Sequence, residues 1–363
     1  MTAKPRVVVA MSGGVDSSLT AALLVRQGYD VIGATMQIWD SEREDSPEDR
    51  GCCSLSAVDD ARRVADRLDI PYYVLNFREM FQQTVVDYFV REYAAGRTPN
   101  PCIACNRHVK FEGLLQRARA LGAEYVATGH YARIGYDAAY GRYLLRKGVD
   151  SAKDQSYALY HLNQDSLQHF LMPLGDYTKV ETRQMAREFG LAVADKPDSQ
   201  EICFVPDDDY AAFLADKAPE SLKPGNIVDT AGRVLGRHRG LPLYTVGQRK
   251  GLGLAAGRPL YVVALDSDGN ELIVGDDNDV FAGELIAADL NLIAVDELTA
   301  PLACTAKIRY SARAAAAMVT PLADGRVNVR FAEPQRAITP GQSVVFYDGD
   351  IVIGGGIISQ AVR

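Results

Sequence analysis

The chain has 363 residues, enough for two or three domains that each bury a core of their own. With 47% hydrophobic and 24% charged residues it is ordinary for a soluble globular protein, and no apolar run approaches the roughly 18 residues of a membrane helix. A net charge of −8 excludes an indiscriminate polyanion binder, so any nucleic-acid surface has to be local.

In chain order, Met1-Thr2-Ala3-Lys4-Pro5-Arg6 leads straight into the first strand without signal-peptide architecture, and a cytoplasmic protein with no membrane contact is expected. Alternating apolar runs predict strands over 6–11, 30–36, 72–77 and 124–128 and helices over 15–27, 55–69, 79–95 and 107–121. That alternation implies an α/β fold with a doubly wound parallel sheet, whose ligands sit at the carboxyl ends of the strands. Beyond about residue 210 the pattern changes to short apolar runs over 261–265, 271–274, 306–310, 326–331 and 343–347. Asp-Gly, Pro-Gly and Gly-Asn turns separate them, which predicts antiparallel, barrel-like β structure. The expected domains are 1–208 (catalytic), 209–278 (central, β-rich) and 279–363 (a C-terminal β-barrel).

The first strand runs into Ala10-Met11-Ser12-Gly13-Gly14-Val15-Asp16-Ser17-Ser18, where two glycines permit tight backbone just before a helix. Free N–H groups and the helix dipole make such a turn an anion site. Ser12, Ser17 and Ser18 add hydroxyls, and Asp16 can hold a magnesium ion carried by a polyphosphate. No lysine follows the glycines as a Walker loop requires, and G-x-G-x-x-G is absent. The loop instead resembles the pyrophosphate loop of ATP pyrophosphatases, which activate an oxygen by adenylation.

Six cysteines in an intracellular chain point to chemistry or metal rather than a disulfide framework. Cys52-Cys53 and Cys102-x-x-Cys105 are suggestive, Cys203 lies in a polar loop after Pro197, and Cys304 reads as a core residue in a strand. Cys105 is expected at a helix N-terminus, where the dipole with Arg107, His108 and Lys110 would favour a thiolate. Cys105 and Cys203 can act as a pair if the fold unites them, one carrying a persulfide and the other releasing its sulfur. Thr128-Gly129-His130-Tyr131 closes the fourth strand at the edge of the glycine turn, so Gly129 would admit a ribose or adenine and His130 could contact substrate. From Arg233 to Arg258 there are six basic residues and no Asp or Glu, with a shorter basic stretch at Lys307, Arg309 and Arg313.

The glycine turn, Gly51-Cys52-Cys53, Thr98-Pro99-Asn100-Pro101, Cys105-Asn106, Gly129-His130-Tyr131, Lys153-Asp154-Gln155-Ser156-Tyr157, Asp198-Ser199-Gln200-Glu201-Ile202-Cys203-Phe204, Val246-Gly247-Gln248-Arg249-Lys250-Gly251-Leu252-Gly253 and Pro340-Gly341-Gln342 occur in order. Together they resemble the bacterial tRNA-specific 2-thiouridylases, and the likeness runs through essentially the whole chain. It implies ATP-dependent 2-thiolation of the wobble uridine of tRNA. The residues Ala10, Met11, Ser12, Gly13, Gly14, Val15, Asp16, Ser17, Met36 and Gly129 would contact ATP with Mg2+. Asn100, Pro101 and Cys102 would lie beside the target base, while His130, Lys153, Asp154, Gln155, Arg309, Tyr310 and Gln342 would touch tRNA. Cys105 would be the nucleophile and Cys203 the persulfide carrier, charged by an upstream sulfur-carrier or cysteine desulfurase protein.

One departure matters: some members of the family have aspartate where this chain has Cys102. The third thiol opens an alternative, a [4Fe–4S] cluster held by Cys102, Cys105 and Cys203, although three thiolates are an incomplete set. Zinc would need a second pair that the sequence lacks. Two other classes compete: a pyrophosphate-loop ligase acting on a small acid, and a non-catalytic RNA-binding protein.

Overall fold

A computed structural model describes residues 4–39, 55–197, 202–205, 209–255 and 257–363. Gly51, Cys52, Cys53 and residues 198–201 lie outside them. Contacts divide the chain into two compact units, the first holding 1–85, 102–204 and 350–352, the second 86–101, 205–349 and 353–363.

In the first unit, β1 (Arg6–Ala10) lies inside a parallel sheet, and Val7, Val8 and Val9 are fully buried, as a strand covered on both faces requires. α1 (Val15–Arg26), β2 (Asp30–Gln37), α2 (Leu55–Leu68) and β3 (Tyr72–Asn76) follow. The helical stretch after β3 begins with α3 (Arg78–Phe81) and π-helical Gln82–Val86 and runs on as α4 (Asp87–Ala94) in the second unit. α5 (Pro101–Ala104) leads through π-helical Cys105–Gly113 into α6 (Leu114–Ala120) and β4 (Tyr125–Ala127). A hairpin of β5 (Ala132–Asp137) and β6 (Arg142–Lys147), α7 (Gln164–Leu167), β7 (Phe170–Leu171) and α8 (Lys179–Glu188) complete the order. The sheet order is β3-β2-β1-β4-β7 and every pairing is parallel. Connectivity switches direction between β1 and β4, so a ligand crevice belongs at their carboxyl ends. α1 is buried nearly all round: Val15, Leu19, Ala22 and Leu23 join a core with Val7, Val9, Ala61 and Val64.

In the second unit, α4 packs through Phe89 on Phe213 and Tyr93 on Tyr210 of α9 (Tyr210–Lys217). A four-stranded sheet combines β8 (Gly225–Asp229), β9 (Val234–His238), β10 (Tyr261–Asp266) and β11 (Glu271–Gly275) in the order β10-β11-β8-β9. β12 (Phe281–Leu292), β13 (Leu302–Lys307), β14 (Ala315–Pro321), β15 (Val327–Arg336), β16 (Ser343–Asp348) and β17 (Ile351–Val362) run in the order β12-β15-β14-β13-β16-β17. Pairing of β17 back to β12 closes the barrel, with Leu285, Val319, Val329, Val344, Phe346 and Ile358 fully buried inside. Closure removes the open edges that six antiparallel strands would otherwise present.

Four expectations need correction. The helix expected from 107 begins at Pro101, because proline suits a first helical position. Cys105 is therefore one turn inside the helix, and Cys102, not Cys105, occupies the first turn. The strand expected over 306–310 is β13 and ends at Lys307, leaving Arg309 and Tyr310 in the turn beyond it. The β-rich half is not wholly antiparallel, since β8 and β11 pair in parallel. Finally, Ser18 is fully buried in α1 and offers no hydroxyl to a ligand. Cys304 sits in β13 against the barrel core, where burial and the nearby Asp348 push its thiol pKa up to about 11.

Candidate active site

The turn between β1 and α1 is built for an anion. Gly13 has φ +68, and a Cβ there would strike the backbone of Ala57 in α2, so only glycine lets the loop lie this close to that helix. Ser17 Oγ accepts from the Ser12 N–H at 3.1 Å and donates to the Gly14 carbonyl at 3.2 Å, fixing the loop before any ligand arrives. Behind it, Met11 N–H donates to Ala34 O (2.8 Å), and Thr35 Oγ1 donates to Met11 O (2.6 Å) while accepting from Tyr72 O–H (2.7 Å). Gly14 caps α1 without a side-chain bond, so the first N–H groups of the helix keep the positive end of its dipole exposed to an incoming phosphate.

Asp16 is held in place from α8. Lys179 Nζ donates to both carboxylate oxygens, at 2.7 and 2.8 Å, and Tyr131 O–H donates to Oδ1 at 2.8 Å. The Lys179 side chain is only 11% exposed. Lys196 Nζ reaches the Gly13 carbonyl at 3.2 Å and Asp60 at 2.8 Å, adding a second cation beside the loop. The turn after β4 closes on the same place: a Cβ on Gly129 would come within 2.8 Å of Ser17 N and 3.0 Å of Asp16 Cβ. Met36 is half-buried at the carboxyl end of β2. Ala10 to Ser17 and Gly129 thus meet at one sheet edge. Lys179, Lys196 and Tyr131 join them; Tyr131 stood out in the sequence only as part of Gly129-His130-Tyr131, and Lys179 not at all. The Thr178-x-x-Glu181 capping box was a readable signal for the start of α8, with Thr178 N–H donating to Glu181 at 2.7 Å.

His130 is buried, with its Nδ1 2.8 Å from Thr128 Oγ1 and its ring against Phe111. Burial, then the charge of Lys110, drives its pKa well below the usual histidine range, so it is neutral at physiological pH. Asp154 accepts from Gly148 N–H and Ser156 N–H, both at 3.1 Å, and Gln155 Oε1 accepts from Tyr131 N–H at 3.0 Å. Gln155 therefore braces the turn that carries Gly129, His130 and Tyr131, while Asp154 ties together Gly148 and Ser156 in its own loop. In the second unit, Gln342 Nε2 donates to the carbonyls of Thr98 (3.0 Å) and Pro99 (3.2 Å), holding the segment that leads to Asn100 and Pro101. Tyr310 is 46% exposed, with Lys307 Nζ 5.7 Å from its ring centre.

Cys102 and Cys203 are exposed thiols and Cys105 is half-buried where the α5 turns widen into π-helix. Asn106, next to Cys105, is tied by its Nδ2 to Ala158 O at 3.0 Å. Phe204, next to Cys203, packs on Phe81 of α3 and on Trp39 just after β2. The same α3 lies against the π-helical segment, where a Cβ on Gly113 would come within 2.7 Å of Met80 Sδ. Among the described residues no three His, Cys, Asp or Glu side chains converge as a metal site, so Cys102, Cys105 and Cys203 do not fit the [4Fe–4S] alternative.

Family models match almost the whole chain: a tRNA methyl transferase HUP domain over 5–207, a tRNA methyl transferase PRC-barrel domain over 211–276 and an aminomethyltransferase beta-barrel domain over 282–358. The tRNA-specific 2-thiouridylase MnmA of Acetivibrio thermocellus is 60% identical over 98% of this chain and 99% of its own length. Its namesake in Carboxydothermus hydrogenoformans is 58% identical over 98% of both. A 4-thiouridine synthetase in complex with RNA and ATP is 16% identical over 60% of this chain and 51% of that one, at a TM-score of 0.34, too slight a likeness to argue from. The domain descriptions speak of methyl transfer, but the relatives that match from end to end are thiouridylases, and they decide the family. The chain belongs to the family of tRNA-specific 2-thiouridylases.

Proposed function

We propose that this chain carries out ATP-dependent 2-thiolation of the wobble uridine of tRNA. The observation that carries the reading is the convergence of Ser12, Gly13, Asp16, Gly129 and Lys179 at the carboxyl edge of β1 and β4. The expected partition is a catalytic domain over 1–208, a central β-rich domain over 209–278 and a C-terminal β-barrel over 279–363.

A uracil C2 oxygen is a poor leaving group. MgATP as substrate supplies the remedy: the oxygen attacks the α-phosphorus, pyrophosphate departs, and the oxygen leaves later as part of AMP. The N–H groups at the start of α1 are placed to stabilise charge on the departing pyrophosphate. Lys179 can turn from Asp16 towards a phosphate oxygen once Asp16 engages the cation that accompanies ATP. Asn100, Pro101 and Cys102 are assigned to the extruded base, with Gln342 holding their segment, and His130, Lys153, Asp154, Gln155, Arg309 and Tyr310 to the tRNA around it. A base in a loop has to be unstacked for such chemistry.

Sulfur transfer falls to Cys203 and Cys105. The terminal sulfur of a Cys203 persulfide attacks C2 and AMP leaves. The Cys105 thiolate then attacks Cys203 Sγ, breaking the S–S bond and leaving its electron pair on the sulfur of the new 2-thiouridine. The resulting Cys105–Cys203 disulfide is reduced by an external thiol, and a sulfur-carrier protein or cysteine desulfurase reloads Cys203. No step is routed through an iron–sulfur cluster. A pyrophosphate-loop ligase for a small acid is not favoured, because thiouridylases match the chain along its full length.

The test is a pair of serine variants. Cys105→Ser and Cys203→Ser are expected to retain ATP binding and pyrophosphate release while 2-thiouridine in tRNA, read by mass spectrometry of nucleosides, drops to background. Full thiolation by either variant would refute the relay.

A further inference from the structure

We propose that the glycine-rich loop over 247–254 is a phosphate-binding site that grips a backbone phosphodiester of RNA, away from the base that reacts. The proposal rests on tRNA being the substrate and adds where part of its backbone is held. Four observations within the second unit carry it.

First, the loop frames a cavity of about 230 Å3 lined by Arg249, Gly251, Leu252, Gly253, Leu254 and Arg258, among others. Second, Gly251 and Gly253 have φ of +80 and +69, a conformation that turns successive N–H groups to one side. Among the described residues, the N–H groups of Arg249, Lys250, Gly251 and Gly253 donate to no acceptor. Concave backbone donors with no internal acceptor are what an oxyanion needs.

Third, the charges are uncompensated. Arg258 is paired with Asp276 at 2.6 Å, and Arg233 with Asp229 at 2.7 Å. Arg249 and Lys250 are exposed and meet no carboxylate among the described residues. In a chain of net charge −8, two adjacent cations without counter-charges on a loop that frames a cavity mark a surface that meets an anion.

Fourth, the loop is rigid before any ligand binds. Gln248 Oε1 accepts from Thr245 N–H at 3.0 Å and its Nε2 donates to Lys250 O at 2.9 Å, while Val262 N–H donates to Gln248 O at 2.9 Å. Leu252 is buried in a core with Ile227, Tyr244 and Val262, and Leu254 lies 2.7 Å from where a Cβ on Gly236 of β9 would stand. A pre-formed loop lowers the ordering cost of binding. The basic groups are exposed rather than sunk in a closed pocket, which suits a phosphate that is part of a strand and not a small free anion.

The experiment measures the affinity of the full-length protein for unmodified tRNA across a series of KCl concentrations. Binding by the wild type tests the functional reading and comes first. Arg249→Ala with Lys250→Ala is then expected to weaken binding by about tenfold or more and to lower the slope of log K against log salt by about 1 to 2, as loss of two phosphate contacts requires. ATP affinity should not change. Arg233→Ala, which removes a neutralised cation from the same basic stretch, is expected to change affinity less than about twofold. Wild-type affinity and slope in the double variant would overturn the proposal, as would a loss of affinity with no change of slope. Inorganic phosphate, added at matched ionic strength, separates the two sources of the same chemistry. Displacement of tRNA by inorganic phosphate at sub-millimolar concentration would assign the loop to a free anion and overturn the RNA assignment.

Discussion

Lys179 breaks a local rule in a way that explains its importance. A cation at the first position of a helix faces the positive end of the dipole, an unfavourable place that the paired Asp16 carboxylate offsets. In the sequence the two residues are 163 positions apart, and no periodicity links them, so Asp16 was readable as a ligand group and its partner was not. Lys179→Met is expected to slow ATP-dependent pyrophosphate release by about 100-fold. Quantifying pyrophosphate checks it, with the melting temperature recorded to separate chemistry from folding.

His161 makes a second prediction at this scale. Both ring nitrogens are buried without hydrogen-bond partners among the described residues, although an edge of the residue reaches the surface. Burial, followed by the charges of Arg107 and His108, lowers its pKa to about 3. A histidine whose folded pKa is depressed stabilises the fold above its unfolded pKa and loses that contribution as pH falls towards the folded value. Between pH 7 and pH 5 the wild type should therefore lose about 2 kcal/mol that His161→Phe does not lose. Denaturant midpoints of both proteins at the two pH values provide the comparison.

Among the elements, the parallel strands and their helices were legible because buried strands and amphipathic helices carry strong periodic signals. β1 to β4 and α1 and α2 fall within a few residues of expectation, as does the end of α6. The π-helical segments Gln82–Val86 and Cys105–Gly113 were not legible, since a widened turn leaves the apolar spacing almost unchanged. The β5–β6 hairpin was missed for another reason: much of it is half-exposed and polar, with Tyr136 and Tyr143 packed on its surface. Two substitutions test how these elements hold the site. Gly13→Ala should cost about 1 to 3 kcal/mol and abolish ATP binding, because the loop cannot keep φ +68 against Ala57. Equilibrium unfolding and ATP titration read the two effects. Gln342→Ala frees the carbonyls of Thr98 and Pro99 and should lower thiolation and tRNA-dependent pyrophosphate release together, about tenfold, while leaving ATP binding intact, each measured on the same preparation.

At the level of the whole molecule, the parallel sheet and the barrel have separate hydrophobic cores, one around Val9, Leu19 and Leu23 and one around Val329, Val344 and Phe346. Two cores of this size predict that heating does not follow a single two-state transition. Saturating MgATP, with its proposed site in the first unit, should raise that unit's transition, by about 2.7 kcal/mol of stabilisation at 100 times the dissociation constant. Differential scanning calorimetry with and without nucleotide resolves the point. Equal upward shifts of both transitions would contradict it. The change of composition near residue 210 signalled the β-rich half. It could not signal that residues 86–101 belong with that half or that 350–352 belong with the first, because assignments across such distances depend on packing rather than local pattern.

Those three late residues have a consequence for biosynthesis. Asp350 receives hydrogen bonds from Arg133 at 2.8 Å and from Arg146 at 3.2 Å, and Ile351 pairs with Arg146 beside the hairpin. A ribosome has to translate more than 200 further codons after Arg146 before those guanidinium groups can meet their carboxylate. The nascent first unit must wait with that edge incomplete, and a frameshift or nonsense codon upstream of position 350 would strip it of the clasp even when every catalytic side chain had been made.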